Sequence, residues 1–431
     1  MTVCEPPPTA RGGLLDAFTP PLLPPVSNRA FRFHMGYALL DAVSAGILSN
    51  VPLMAVKALN ASDAQLQIPI MLTSIGLFSS VITGVVMSRR SKMPFIIGPG
   101  LASGLAALVM AWTTSVQWFL CIFGLISIFD FAIRPAIPSL LRIVYPENCR
   151  SHVGGTLRQY ASIVFLCSSF LFSFLLSLSG GRIHTMITAQ LTLAGVSSIC
   201  AFLCLSQLPD RGDGSLEEAL PSLNPKQLGT SHPILTPLRD HAFRYFLAVY
   251  FLYCCGNLFY MGIVAPFFAK DLGYGYLGST LLIHIVPAVT GFLLGGPLTS
   301  WFDRASVWNS YSLVMLMWGL DPLLLSLLPG FFPTVLAARI SRGPATLGGM
   351  VLTVYTAVHR FARPGPETSC YMAVLFFING IARLAAPSAA AYLSGLVSHR
   401  TILLIGGLAV LGSSIMFACG GLRYRQDNKN A

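Results

Sequence analysis

From Tyr37 onward, long apolar blocks alternate with short polar connections. The blocks lie near 36–57, 68–88, 94–112, 116–139, 154–178 and 184–207, then near 242–269, 276–300, 308–328, 344–358, 369–395 and 401–421. An α-helix rising 1.5 Å per residue needs about 20 residues to cross a hydrocarbon core of about 30 Å. The blocks have that length. Their apolar positions do not alternate with polar ones, as a membrane β-strand would require. The pattern therefore predicts an all-α polytopic membrane protein with twelve transmembrane helices, six on each side of the middle. The tenth block is the shortest. Arg339 and Arg342 precede it, which places both in the connection before it.

The polar stretches set the expected organisation. Residues 1–34 hold Pro6, Pro7, Pro8, Pro20, Pro21, Pro24 and Pro25 and read as an extended, disordered tail. No apolar leader follows Met1, so a secretory signal is not expected. Residues 35–207 form the first six-helix bundle, and 208–241, rich in Gly, Pro, Asp and Ser, read as a linker. Residues 242–421 form the second bundle and 422–431 a tail. Cytoplasmic loops carry an excess of Lys and Arg. With both termini on one side, 18 basic residues fall there, six on the other (Lys57, Arg182, Lys270, Arg339, Arg342, Arg400) and three inside spans. Both termini, with the linker, are therefore expected in the cytoplasm, and the plasma membrane or a bacterial inner membrane is the expected location.

Composition sharpens this picture. Charged residues make up 10% of the chain and hydrophobic ones 54%. Soluble domains carry about 25% charge. A protein this poor in charge cannot cover a water-exposed surface, which excludes a cytosolic enzyme and a disordered chain. The net charge of +11 is scattered rather than gathered into an aromatic-interleaved patch, so no nucleic-acid partner is expected. The 10 cysteines form no CxxC pair and read as small buried hydrophobes. Neither a metal site nor a cofactor is expected. No nucleotide-binding G-x-x-x-x-G-K-[ST] pattern, no HExxH and no GxSxG occurs, so an enzyme is not expected either.

The two halves repeat. Gly84 opens GVVMSRRSKMP after the second block, and Gly296 opens GPLTSWFDRA after the eighth, 212 positions later. Pro146-Glu147 follows the fourth block and Pro366-Glu367 the tenth, 220 positions later. Similar offsets at two landmarks indicate a duplicated six-helix unit. In this layout, and in these loops, residues 35–421 resemble the major facilitator superfamily of secondary transporters. The family's loop motif reads Gly-x-x-x-Asp-Arg-x-Gly-Arg-Arg. Gly84 and Arg89 match it and Lys92 matches a later basic position, while Ser88 and Ser91 replace the aspartate and the second glycine. In the second half Gly296 and Arg304 match, Ser300 replaces the aspartate, and Asp303 stands at the later glycine position. The resemblance implies two pseudo-symmetric six-helix bundles that act as a monomer. It also implies a conformational latch formed by Gly84, Ser88, Arg89, Arg90, Lys92, Gly296, Asp303 and Arg304. With the aspartate lost, its role passes to Asp303 or Glu147, or the latch is loosened. The competing reading of the basic cluster is topology-setting charge.

Ionisable groups inside a bilayer cost several kcal/mol and usually face a cavity or one another. Asp41, Asp130 and, more weakly, His284 are the candidates for proton coupling. Asp130 and Arg134 share a helix face at a spacing of four. They can pair within the helix or across helices, with Arg158 competing. The substrate-cavity candidates are Asn50, Arg134, Arg158, Tyr253, Asn257, Tyr260, Asn379 and Arg383. Tyr250, Tyr253, Asn257 and Tyr260 recur at helical spacing as one polar-aromatic stripe, and Asn379 lies one turn before Arg383. Arginine binds carboxylate or phosphate through two parallel hydrogen bonds, so Arg158 and Arg383 point to an anionic substrate. Asp321 reads as interfacial. Pro52, Pro135, Pro138, Pro266 and Pro287 predict helix breaks. The expected function is proton-coupled transport of a small solute by alternating access. A facilitative carrier, or a transporter-like scaffold or sensor, is the alternative. The expected partners are the solute, protons and the lipid bilayer.

Overall fold

In the computed structural model the described residues are 25–87, 93–133, 144–145, 147–208, 237–351, 361 and 367–424. They form helices α1 (Pro25–Leu48), α2 (Val51–Ala58), α3 (Ile68–Met87), α4 (Met93–Ala111), α5 (Val116–Ile133), α6 (Glu147–Leu178) and α7 (Ile183–Leu205) in the first half. The second half holds α8 (His241–Met261), α9 (Tyr276–Thr280), α10 (Val286–Arg304), α11 (Val307–Leu327), α12 (Phe332–Val351), α13 (Glu367–Leu393) and α14 (His399–Arg423). No strand occurs among the described residues. Among the described residues ten helical segments are long and apolar enough to cross a membrane. Their outward faces carry Leu178, Leu293 and Ile415, each more than 60% exposed. A belt of that kind needs lipid as its solvent, and the chain is an integral multi-pass membrane protein.

Two predicted boundaries move. Helix α1 begins at Pro25, inside the segment read as a tail, and Ala30 and Phe31 are buried. The tenth span is α12, which starts at Phe332 rather than near 344. Arg339 and Arg342 therefore lie inside a helix and not in the connection before it. A buried acidic partner from α11 makes this possible, and that partner is invisible to a hydropathy reading. The cysteines divide: Cys254 is buried, whereas Cys167, Cys200 and Cys419 are exposed on outward helix faces.

Prolines break the ladder where the sequence places them. Pro52 follows the break between α1 and α2. Pro266 precedes a π-turn at Phe267–Asp271, and Pro287 follows another at Leu281–Ile285. A proline removes one N–H donor, and the backbone re-registers to i→i+5 bonds beside it. Pro135 and Pro138 lie outside the described residues.

The packing of the two halves repeats pair for pair. In the first half α1 packs on α6 and α7, α4 on α5 and α7, and α3 on α5. In the second, α8 packs on α13 and α14, α11 on α12 and α14, and α10 on α12. The halves meet along α3 with α13 and along α6 with α9. Glycines permit the closest approach. A Cβ on Gly256 would sit 2.9 Å from the Gly406 carbonyl oxygen, and one on Gly406 would sit 2.8 Å from that of Gly256. Only hydrogen fits between α8 and α14 there.

Candidate functional site

The polar stripe on α8 faces the interior of the second half. Tyr250, Tyr253, Asn257 and Tyr260 are all buried. Against them, α11 and α12 bring three charged groups that sequence reasoning did not bring together. Asp321, expected at the membrane interface, is 0% exposed and accepts a hydrogen bond from Arg339 through Oδ1. Arg342 reaches the same carboxylate at 3.9 Å. Its Nη1 also donates to Tyr260 Oη at 2.6 Å and to Asn257 Oδ1 at 3.2 Å. The guanidinium lies 4.4 Å from the centroid of the Trp318 ring, and Trp318 Nε1 donates to the same Asn257 oxygen at 2.6 Å. Arg339 stacks on Phe268. Two guanidiniums thus share one carboxylate, and the cluster carries one net positive charge. Aromatic faces and neutral oxygens stabilise the surplus cation.

Arg383 on α13 spans the two halves. Its Nε donates to Asn379 Oδ1 at 3.2 Å, the pairing the one-turn spacing predicts. Its Nη1 donates across the interface to Thr73 Oγ1 on α3 at 3.1 Å, and its guanidinium lies over Phe131 of α5. Asn379 in turn donates to Tyr250 Oη. Arg158 is exposed on α6.

In the first half, Asp41 is partly buried on α1 and interacts electrostatically with Asp130 of α5. Tyr37, one turn before Asp41, feels both carboxylates. Ser103 Oγ donates to Asp130 at 3.4 Å. The two acidic candidates are therefore brought together by α1 and α5. His284 is placed apart from them, against the Ser49 backbone at the join of the halves.

Asn50 is 0% exposed and ties the halves together. Its Oδ1 accepts from Thr280 at 2.7 Å, Thr280 accepts from Ser173 at 2.8 Å, and Asn50 Nδ2 points at the carbonyls of Gly46 and Ser169. Gln67 is buried against Gly262 of the opposite half, and neither of its amide atoms has a hydrogen-bond partner among the described residues. The pockets beside Trp112 and His184, and beside Ile163 and Leu171, lie away from all these groups.

Of the loop candidates, Ser88, Arg89, Arg90 and Lys92 lie outside the described residues, as does Arg134. Gly84, Glu147, Gly296, Asp303 and Arg304 lie within helices, but their side chains are outside the described set. Among the described residues no cluster of His, Cys, Asp and Glu could hold a metal ion.

The sequence matches no family model and no curated protein. Solved structures do resemble the fold. A POT family transporter in complex with a thioalcohol-conjugated peptide has a TM-score of 0.70 at 12% identity, covering 93% of this chain and 96% of that one. The nucleoside transporter NupG gives 0.66 at 16% identity, covering 91% and 98%. A bacterial homologue of the human lysosomal transporter Spinster, in an inward-facing and occupied conformation, gives 0.58 at 15%, covering 94% and 97%. Two halves with one helix-packing order, and solved structures that align with 91–94% of the chain, give it the fold of the major facilitator superfamily.

Proposed function

We propose that the chain carries a small anionic solute across the membrane by alternating access, coupled to protons. The observation that supports this most directly is the charge surplus around Asp321, Arg339 and Arg342. A net positive charge enclosed by helices at mid-membrane costs several kcal/mol unless a counter-charge offsets it. The side chain of Arg342 is 15% exposed, so it is not fully sealed. A carboxylate or phosphate of the solute supplies the missing negative charge. The tyrosines and Trp318 beside it supply apolar surface and hydroxyl groups for the body of the solute. Asp41, with Asp130 as its neighbour, takes up and releases the coupling proton on the other side of the interface. Proteins of the same fold that carry peptides and nucleosides support a small organic cargo.

The working unit is a monomer. Both termini face the cytoplasm, and the protein resides in a plasma membrane or a bacterial inner membrane. Placing Arg339 and Arg342 in a span leaves four basic residues of the original six on the far side, which strengthens the charge asymmetry behind this orientation.

The test compares solute levels in cells making the wild type or Asp41→Asn, with and without a protonophore. One class of anionic solute should accumulate with the wild type only, and the protonophore should abolish it. Movement that survives both treatments makes the chain a facilitative carrier. No solute movement by well-folded protein makes it a transporter-like scaffold or sensor.

A further inference from the structure

At the end of the bundle away from Pro25 and Tyr424, the two halves are joined by a cluster that none of the transport chemistry uses. Asp63 follows α2 in the first half. Lys270, Asp271 and His399 belong to the second. Lys270 Nζ is 2.9 Å from Asp63 Oδ1 and also reaches the Ala61 carbonyl. His399 Nε2 is 2.7 Å from Asp63 Oδ2, and His399 Nδ1 is 2.9 Å from Asp271 Oδ1. The imidazole thus lies between two carboxylates, one from each half of the molecule, and its side chain is 12% exposed.

We propose that this rim is a second proton-binding site, centred on His399, and that its proton ties the two halves together at that end. A neutral imidazole has one N–H and one bare nitrogen, whereas a carboxylate only accepts. Both contacts are hydrogen bonds only when both nitrogens carry hydrogen, which is the imidazolium. Loss of that proton turns one contact into a lone pair facing a carboxylate. It also changes the cluster from two cations against two anions to one against two. The remaining charged groups nearby do not supply the difference. Lys57 is directed at the Tyr274 carbonyl and the Tyr276 ring, and Arg400 is exposed beside His399. Asp63 itself is held below the usual carboxylate range by its hydrogen bond from His399, with Lys270 adding to this and burial opposing it. It is therefore an anion at any pH at which the histidine titrates. The clasp closes in mild acid and loosens as pH rises through the histidine's titration.

Hydrogen exchange on the purified full-length chain tests this without solute or gradient, so it is independent of the role proposed for Asp41. The reporters are the Ala61, Tyr274 and Thr401 amides, which are hydrogen-bonded to Ala55, Phe268 and Ser398. Rates at pH 5.5 and 8.5 are corrected for the intrinsic pH dependence of exchange. In the wild type, protection should fall about tenfold between the two, the effect of losing one charge-assisted hydrogen bond at a partly exposed site. His399→Gln mimics the neutral ring, with one donor and one acceptor. It should show the low protection at both pH values, with α7 unchanged as a control for folding. Asp271→Asn should behave in the opposite way. Its amide can donate to a bare Nδ1 or accept from a protonated one, so protection should stay high at both pH values. Wild-type protection that does not change with pH, or a wild-type pH response retained in His399→Gln, overturns the proposal. So does Asp271→Asn titrating like the wild type.

Discussion

Arg339 is 2% exposed within a span, and its neighbours on α12 give no hint of what balances it. The balancing group is Asp321, 18 positions earlier on α11. Their meeting depends on the packing of two helices, so no local pattern announces it. The polar stripe on α8 and the Asn379–Arg383 spacing were legible, because each lies on one helix and follows its period. The charge that gives the site its sign was not legible. Removing one member of the pair should be far worse than removing both. Asp321→Asn leaves two buried cations without their carboxylate and should cost about 3–5 kcal/mol. Asp321→Leu combined with Arg339→Met should recover most of that loss, and thermal unfolding in detergent checks both. At Asp63 the sign follows from its lowered pKa. The stability it contributes is full above the ordinary carboxylate value of about 3.9 and is lost as pH falls through the lower folded value. Asp63→Asn should therefore destabilise the protein at pH 6 and converge with the wild type in strong acid. Melting curves across that range decide it.

At the scale of the helices, most described helices overlap the apolar blocks, because length and hydropathy are local properties, although α1 starts early at Pro25. The larger departure is α12. Its two arginines split the apolar run, and the true helix starts at Phe332. The sequence also marked the breaks at Pro52, Pro266 and Pro287, but not that two of them sit beside π-turns. Helix contacts set by small residues carry their own prediction. A leucine at Gly406 would drive its Cβ into the Gly256 carbonyl and the Tyr260 ring. The backbones of α8 and α14 cannot part without opening the core formed by Phe246, Tyr311 and Phe417. Gly406→Leu should therefore lose most of its monodisperse yield on size exclusion. Gly412→Leu, where a Cβ meets nothing within 4 Å, should keep it.

For the molecule as a whole, the duplicated loops indicated a repeat, and the repeat is carried through the packing order of the helices. What the loops could not convey is where the halves touch. Asn50 reads as a cavity residue by position alone, yet it is locked to Thr280 and Ser173 across the divide. That arrangement requires the fold, because its three members come from three separate helical segments. The orientation proposed above puts both ends of the chain on one side. An epitope appended at either terminus should stain only after the membrane is permeabilised, whereas one inserted after Gly330, in the turn between α11 and α12, should stain on intact cells.

The two π-turns lie on either side of the loop that carries Leu272, Tyr274 and Gly275 and of the short helix α9. Each holds one residue more than an α-helical turn would, so each stores a residue of slack within a hydrogen-bonded helix. Passing that residue along converts the turn to α-helix and rotates the segment beyond it by about 100°. On the first turn this swings Lys270 and Asp271 away from the opposite half. On the second it swings His284 away from Ser49. The helices themselves need not unwind or slide. If the rim opens as proposed above, a shift of one hydrogen-bond register would turn the side chains that link the halves there through about 100°.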